Sequence, residues 1–189
     1  MDLEGITMSF ITTVSGRHFD PIMPEEDLID ERDIAHALSL MCRANGHTRI
    51  FYSVAQHSIA CAKEAVARKE SDAVVLGCLL HDASEAYLCD ITRPMKQYLS
   101  EYWEAEKRLQ EAIWQKWMET APDEQQRQII FEIDDLMMSK EFHELMAEDL
   151  NEDYTKLVRS FSCEYRPPSD IETEFLELLH IYMKATNTI

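Results

Sequence analysis

Apolar residues recur at helical spacing along most of the chain. Ile34, Ala37, Leu38 and Met41 share one face and predict a helix from about Glu31 to Arg43, stopped by Asn45 and Gly46. Ser53-Val54-Ala55-Gln56 has the form of a capping box, and the helix it starts places Val54, Ile59, Ala62 and Val66 on one side and His57 near its mouth. Ser71 or Asp72 caps the next segment, where Ala73 to Leu80 is apolar all round, as befits a helix surrounded by others. That helix is predicted to run on through His81-Asp82-Ala83-Ser84-Glu85 and to break between Asp90 and Pro94. Tyr102, Ala105, Leu109, Ala112, Ile113 and Trp117 mark another helix, ending near Thr120-Ala121-Pro122. A long one follows from Asp123, with Ile130, Ile133, Met137, Phe142, Leu145 and Met146 facing inward. Asp134 falls on that inner face, whereas Asp135 points about 100° away. A loop around Tyr165-Arg166-Pro167-Pro168 precedes a second capping box, Ser169-Asp170-Ile171-Glu172, and a last helix over 169–185. A different pattern appears only early: Ser9 to Phe19 alternates around Ser15-Gly16 and predicts a small hairpin or irregular arm.

Composition agrees with this helical reading. Four Gly and six Pro against ten Met suit helices joined by short loops. A length of 189 residues suits one domain, so the expected architecture is a single all-α bundle with a short N-terminal arm. The net charge of −18 argues against a nucleic-acid polymer as partner, since such surfaces need clustered Lys and Arg. Five cysteines without a C-x-x-C pair read as reduced thiols of a cytoplasmic protein. Acidic Asp2 and Glu4 and the shortness of the apolar block Ala73–Leu80 argue against export and against a membrane.

Charge becomes informative where it interrupts the apolar helix. His81, Asp82, Glu85 and Asp90 stand within a stretch that should be buried, and unpaired buried charges cost several kcal/mol each. A divalent cation would satisfy an imidazole lone pair and carboxylate charge together. His57 upstream and Asp134 downstream are the natural further ligands from other helices. Arg93 and Lys96, just past Asp90, are local cations suited to a phosphate.

The ordered set His57, His81-Asp82 and Asp134 resembles the H…HD…D ligands of the HD-domain metal-dependent phosphohydrolases. Tyr52 to Ser58 resembles the segment around that family's first histidine, and His81-Asp82-Ala83-Ser84-Glu85 followed by Asp90 resembles its small 5′-deoxynucleotidase-like branch. The similarity covers about Ile11 to Leu145, and Ala83-Ser84-Glu85 in place of a His-Asp-x-Gly-Lys pattern implies a single-metal site. The resemblance implies one divalent ion (Mn2+, Co2+, Fe2+, Zn2+ or Mg2+) and a small-molecule nucleotide substrate. Glu85 would be general acid or base, Asp90 would orient water or a sugar hydroxyl, and Arg43 would be a looser match to a phosphate- or sugar-binding arginine. The implied activity is release of phosphate from deoxynucleoside 5′-monophosphates. The alternatives are a dNTP triphosphohydrolase, such as a dATPase, and a nucleotide-binding helical module without turnover. Each residue also has a purely structural reading: His57 and Asp134 as core and ion-pair groups, Glu85, Arg93 and Lys96 as solvated charges, Asp90 as a helix end. The Met and aromatic stripes, with Trp103, Trp114 and Trp117, are expected to form core or a homodimer face.

Overall fold

Helix α1 (Glu31–Leu40) starts on Asp30, whose side chain accepts from the Arg32 amide, and ends before Met41 turns extended. The computed structural model describes residues 10–118, 120–150 and 153–186. Within them the chain is mostly helical, an α bundle preceded by one two-stranded antiparallel hairpin, β1 (Ile11–Thr12) and β2 (His18–Phe19). Ser9, where the predicted hairpin begins, lies outside the described residues. The hairpin turn is pinned from the bundle: Asp33 accepts from the Ser15 amide and hydroxyl, both at 2.8 Å. Phe19 is fully buried and stacks on Tyr87 at 4.2 Å.

Helix α1 is shorter than its periodicity predicts. Cys42 instead forms an isolated antiparallel bridge with Ser53, and Arg43 donates its amide to the Tyr52 carbonyl. A tight turn at Ala44, Asn45 and Gly46, all with positive φ, lets the chain double back between them. Helix α2 (Val54–Arg68) opens on the predicted capping box, Ser53 and Gln56 exchanging both bonds. Its buried side is Val54, Ala55, Ile59, Cys61, Ala62 and Ala65, while Val66 turns out to solvent.

Helix α3 (Asp72–Leu80), capped by Ser71, is buried from Val74 to Leu80 and packs on α2, on α7 (Glu124–Met146) and on α8 (Pro168–Thr186). Gly77 explains one of these approaches. A Cβ there would run into the Ile130 side chain of α7, so Ile130 packs directly over the glycine where α3 and α7 meet. Gly77 is one turn before His81 and Ile130 one turn before Asp134, and the contact brings those two regions together.

Helix α3 does not run on as a regular helix. It stops at Leu80, and residues 81–84 form tight turns with Ala83 and Glu85 amides bonded to Leu80 and Asp82 carbonyls, before the one-turn α4 (Glu85–Leu88). This i to i−3 winding stacks residues three apart, so Asp82 and Glu85 share a side. Buried Gln110 of α6 (Ser100–Trp117) braces the break, accepting from the Ser84 amide at 3.1 Å and donating to the Leu80 carbonyl at 2.7 Å. A short α5 (Arg93–Lys96) follows. Trp114 and Trp117 join the core, and Trp103 is exposed. Helix α8 begins at Pro168, one residue ahead of the predicted Ser169 cap, because proline is suited to a first helical position. Among the described residues no helix is long and apolar enough to cross a membrane.

Candidate metal and substrate site

His57 enters from the first turn of α2, His81 and Asp82 from the break after α3, and Asp134 from the middle of α7. Their polar atoms converge. The two imidazole Nε2 atoms lie 3.3 Å apart. Asp134 Oδ1 is 3.0 Å from His57 Nε2 and 3.6 Å from His81 Nε2, and Asp82 Oδ2 is 3.2 Å from His81 Nε2 and 3.9 Å from His57 Nε2. The predicted orientation of the α7 carboxylates holds, with Asp134 9% exposed and the Asp135 side chain 40% exposed.

The far sides of both rings are occupied. His81 Nδ1 is 2.8 Å from the Cys78 carbonyl, which can only accept, so that nitrogen carries the hydrogen. His57 Nδ1 faces Glu141 Oε1 at 2.9 Å. In the neutral rings both Nε2 atoms are therefore lone pairs directed at each other and at carboxylate oxygens. Such an arrangement requires positive charge in its middle. The same carboxylates govern the acidity of the cluster. Burial lowers His81, but Asp82 and Asp134 outweigh it and carry the ring well above its ordinary value. Burial raises Asp134, but hydrogen bonds from His57 and His81 hold it well below the usual carboxylate range. Asp82 is depressed too, burial being outweighed by His81 and then Arg43.

His57, Cys61 and His81 form a buried group able to hold a metal ion. Cys61 Sγ lies 3.6 Å from His57 Nε2. Burial, then the charge of Asp134, pushes this thiol well above its ordinary value, so without a cation it keeps its proton.

A cavity of about 520 Å³ opens beside the cluster, its lining combining the charged residues Arg43, Asp82, Glu85, Asp90, Arg93, Lys96 and Asp134 with the apolar Met138, Phe142, Leu145, Met146 and Leu150. All nine site residues chosen from the sequence are thus gathered in or beside one place. Glu85 is buried, its Oε2 has no hydrogen-bond partner among the described residues, and Lys96 Nζ stands 3.5 Å from Oε1. Burial, then Asp82 and Asp90, raises Glu85 well above the usual range. Asp90 is also raised, mainly by burial. Arg93 grips Asp134 Oδ2 at 2.8 Å and Asp135 Oδ1 at 2.7 Å, and Lys96 reaches Glu106 at 2.5 Å. Arg43 lies 3.2 Å from Asp82 Oδ2 and 3.7 Å from Glu141 Oε2.

Glu141 and Gln110 are the residues that sequence reasoning missed. Glu141 follows Asp134 by two helical turns on the inner face, and a charge amid Met137, Phe142 and Leu145 was its signal. Gln110 adjoins Leu109 on a face expected to be apolar.

No family model matches the chain. It is 41% identical over 110 residues to the uncharacterized protein YfdR of Escherichia coli strain K12, an alignment covering 58% of this chain and 59% of that protein. An uncharacterized protein of Rhodobacter capsulatus is 27% identical over 186 residues, covering 91% of this chain and 94% of the other. The chain therefore spans somewhat over half of the first relative's length and nearly all of the second's.

Proposed function

We propose that the chain is an HD-type, metal-dependent phosphohydrolase that releases phosphate from deoxynucleoside 5′-monophosphates. The observation that carries this reading is the convergence of two Nε2 lone pairs, 3.3 Å apart, with oxygens of Asp82 and Asp134 at the wall of a cavity. Ligand atoms about 2.0–2.2 Å from one cation fall roughly 3–3.6 Å from one another, close to the separations found here. His57, His81, Asp82 and Asp134 would hold the ion, the two carboxylates balancing a divalent charge. When bound, the ion supplies Lewis acidity, lowering the pKa of water and drawing charge from a phosphoryl oxygen.

The remaining work belongs to the chain. Arg93 and Lys96 would meet the phosphate charge, Arg93 by turning its fork from the Asp134-Asp135 pair. Glu85, buried with one oxygen unpartnered, holds and moves the proton that the departing sugar oxygen needs. Asp90 lines the same cavity, where it can orient water or a sugar hydroxyl. Met138, Phe142 and Leu145, in the lining of the same cavity, offer apolar surface to a nucleoside.

A metal-supplemented hydrolysis screen over mono-, di- and triphosphates tests the reading. Inorganic phosphate from a deoxynucleoside monophosphate is the expected product. Tripolyphosphate from a dNTP would instead make the chain a triphosphohydrolase, and nucleotide binding without hydrolysis would make it a binding module. His81→Ala and Asp82→Ala are each expected to lose bound metal and activity together. Activity surviving in Asp82→Ala protein of measured metal content would remove the assignment.

A further inference from the structure

The two imidazoles of the cluster are held by different means. His81 donates to the Cys78 carbonyl, a main-chain atom fixed by α3 itself, at 2.8 Å. His57 depends on a side chain, Glu141, whose Oε1 is 2.9 Å from Nδ1. We propose that Glu141 is a positioning residue of the metal centre, setting the tautomer, orientation and basicity of His57 through Nδ1. This rests on the metal-centre reading above.

Several contacts suit Glu141 to that role. It is 4% exposed, seven residues beyond Asp134 on the same face of α7, so one rigid helix carries both a proposed ligand and the group that orients another. Its second oxygen stands 3.7 Å from an Arg43 Nη, and the same guanidinium reaches Asp82 Oδ2 at 3.2 Å, linking both halves of the cluster. Arg43 is fixed in turn: its amide bonds to the Tyr52 carbonyl, and the non-glycine residues Ala44 and Asn45 behind it hold left-handed conformations. Such strain persists only where the surroundings determine it. A carboxylate behind a ligating imidazole also makes the outer nitrogen a stronger donor than a carbonyl does.

The test uses the full chain, Co2+ as probe, and no nucleotide. Glu141→Gln keeps the volume and an oxygen able to accept from Nδ1 but removes the charge; Glu141→Leu removes both. Co2+ affinity is expected to fall about tenfold in the first and about a hundredfold in the second. The visible Co2+ spectrum should keep its wild-type shape in Glu141→Gln and change in Glu141→Leu. If Glu141→Leu does not fold, the affinity of Glu141→Gln decides. Folded variants that bind Co2+ within twofold of wild type, with its spectrum, overturn the role of Glu141 whatever the hydrolysis screen gives. A wild-type chain that binds no divalent ion overturns the metal-centre reading and this inference with it.

Discussion

Glu64 on α2 and Glu85 on α4 are both buried glutamates, 0% and 3% exposed, yet their surroundings are opposite in kind. Glu64 is fully answered: it accepts from Arg68 Nε at 2.9 Å, from the Val158 amide at 2.8 Å and from the Arg159 amide at 2.9 Å. Glu85 has one oxygen without a partner and a lysine only at 3.5 Å. A buried carboxylate with its full complement of donors is a staple, here tying the segment after residue 153 to α2. One left short of donors holds a proton easily and gives it up under demand. Burial alone thus says little about role, and the donor count separates the two.

The largest effect should come from breaking the under-satisfied member. Glu85→Gln is expected to lower turnover by about 10²- to 10⁴-fold, the usual worth of a proton-transferring group, while leaving bound metal and folding intact. Steady-state hydrolysis alongside metal analysis measures both, and undiminished turnover would refute the proton role. The fully satisfied member should behave in reverse. Glu64→Ala leaves two backbone amides and part of Arg68 without their acceptor, a loss of about 3 kcal/mol. That corresponds to a melting midpoint lower by roughly 6–12 °C for a chain of this size. Catalysis per folded molecule should change little; a midpoint within 2 °C of wild type would show that Glu64 is no staple.

Acidity sharpens the contrast further. Because the folded-state pKa of Glu85 is raised, the fold binds its proton more tightly than the unfolded chain does. The stability associated with that proton is fully present below the ordinary carboxylate pKa and is lost as pH rises through the folded value. Asp82 and Asp134 act in the opposite sense, losing stability as pH falls, so only a difference isolates Glu85. In metal-chelated protein, the advantage of Glu85→Gln over wild type in chemical denaturation should grow as pH increases from about 4 toward neutrality. An advantage that is flat with pH would mean that Glu85 ionises freely in the fold.

The fold was legible because its helices are amphipathic and conventionally capped, as Ser53 with Gln56 and the all-apolar Val74 to Leu80 show. The candidate site was legible to the extent that charged residues interrupted those patterns. What escaped is tertiary. Nothing local to Leu80 announces that the helix breaks there, since the break is stabilised by Gln110 from another helix. The end of α1 escaped for a similar reason: the bridge between Cys42 and Ser53 overrides the helical spacing of Met41. Glu141 left only its place among apolar residues as a signal, because an acidic residue on a long helix ordinarily faces water and its buried partner, His57, comes from another helix.

The smallest expected effect brings the comparison down to neighbouring residues. Asp134 and Asp135 hold the same arginine, at 2.8 and 2.7 Å, but only the first also reaches the imidazoles. The pair from Arg93 to Asp135 joins side chains 57% and 40% exposed, and exposed pairs contribute at most about 1 kcal/mol. Asp135→Asn should therefore move the melting midpoint by no more than about 2–4 °C and keep the metal. By loosening Arg93 for a phosphate it should change KM by less than about fivefold, the kinetic equivalent of 1 kcal/mol. Asp134→Asn should lose the metal outright. Metal affinity and KM measured on the two single variants decide the matter: if Asp135→Asn also abolishes metal binding, the inward and outward carboxylates form one unit, and the division drawn between satisfied and reactive acids fails at its closest test.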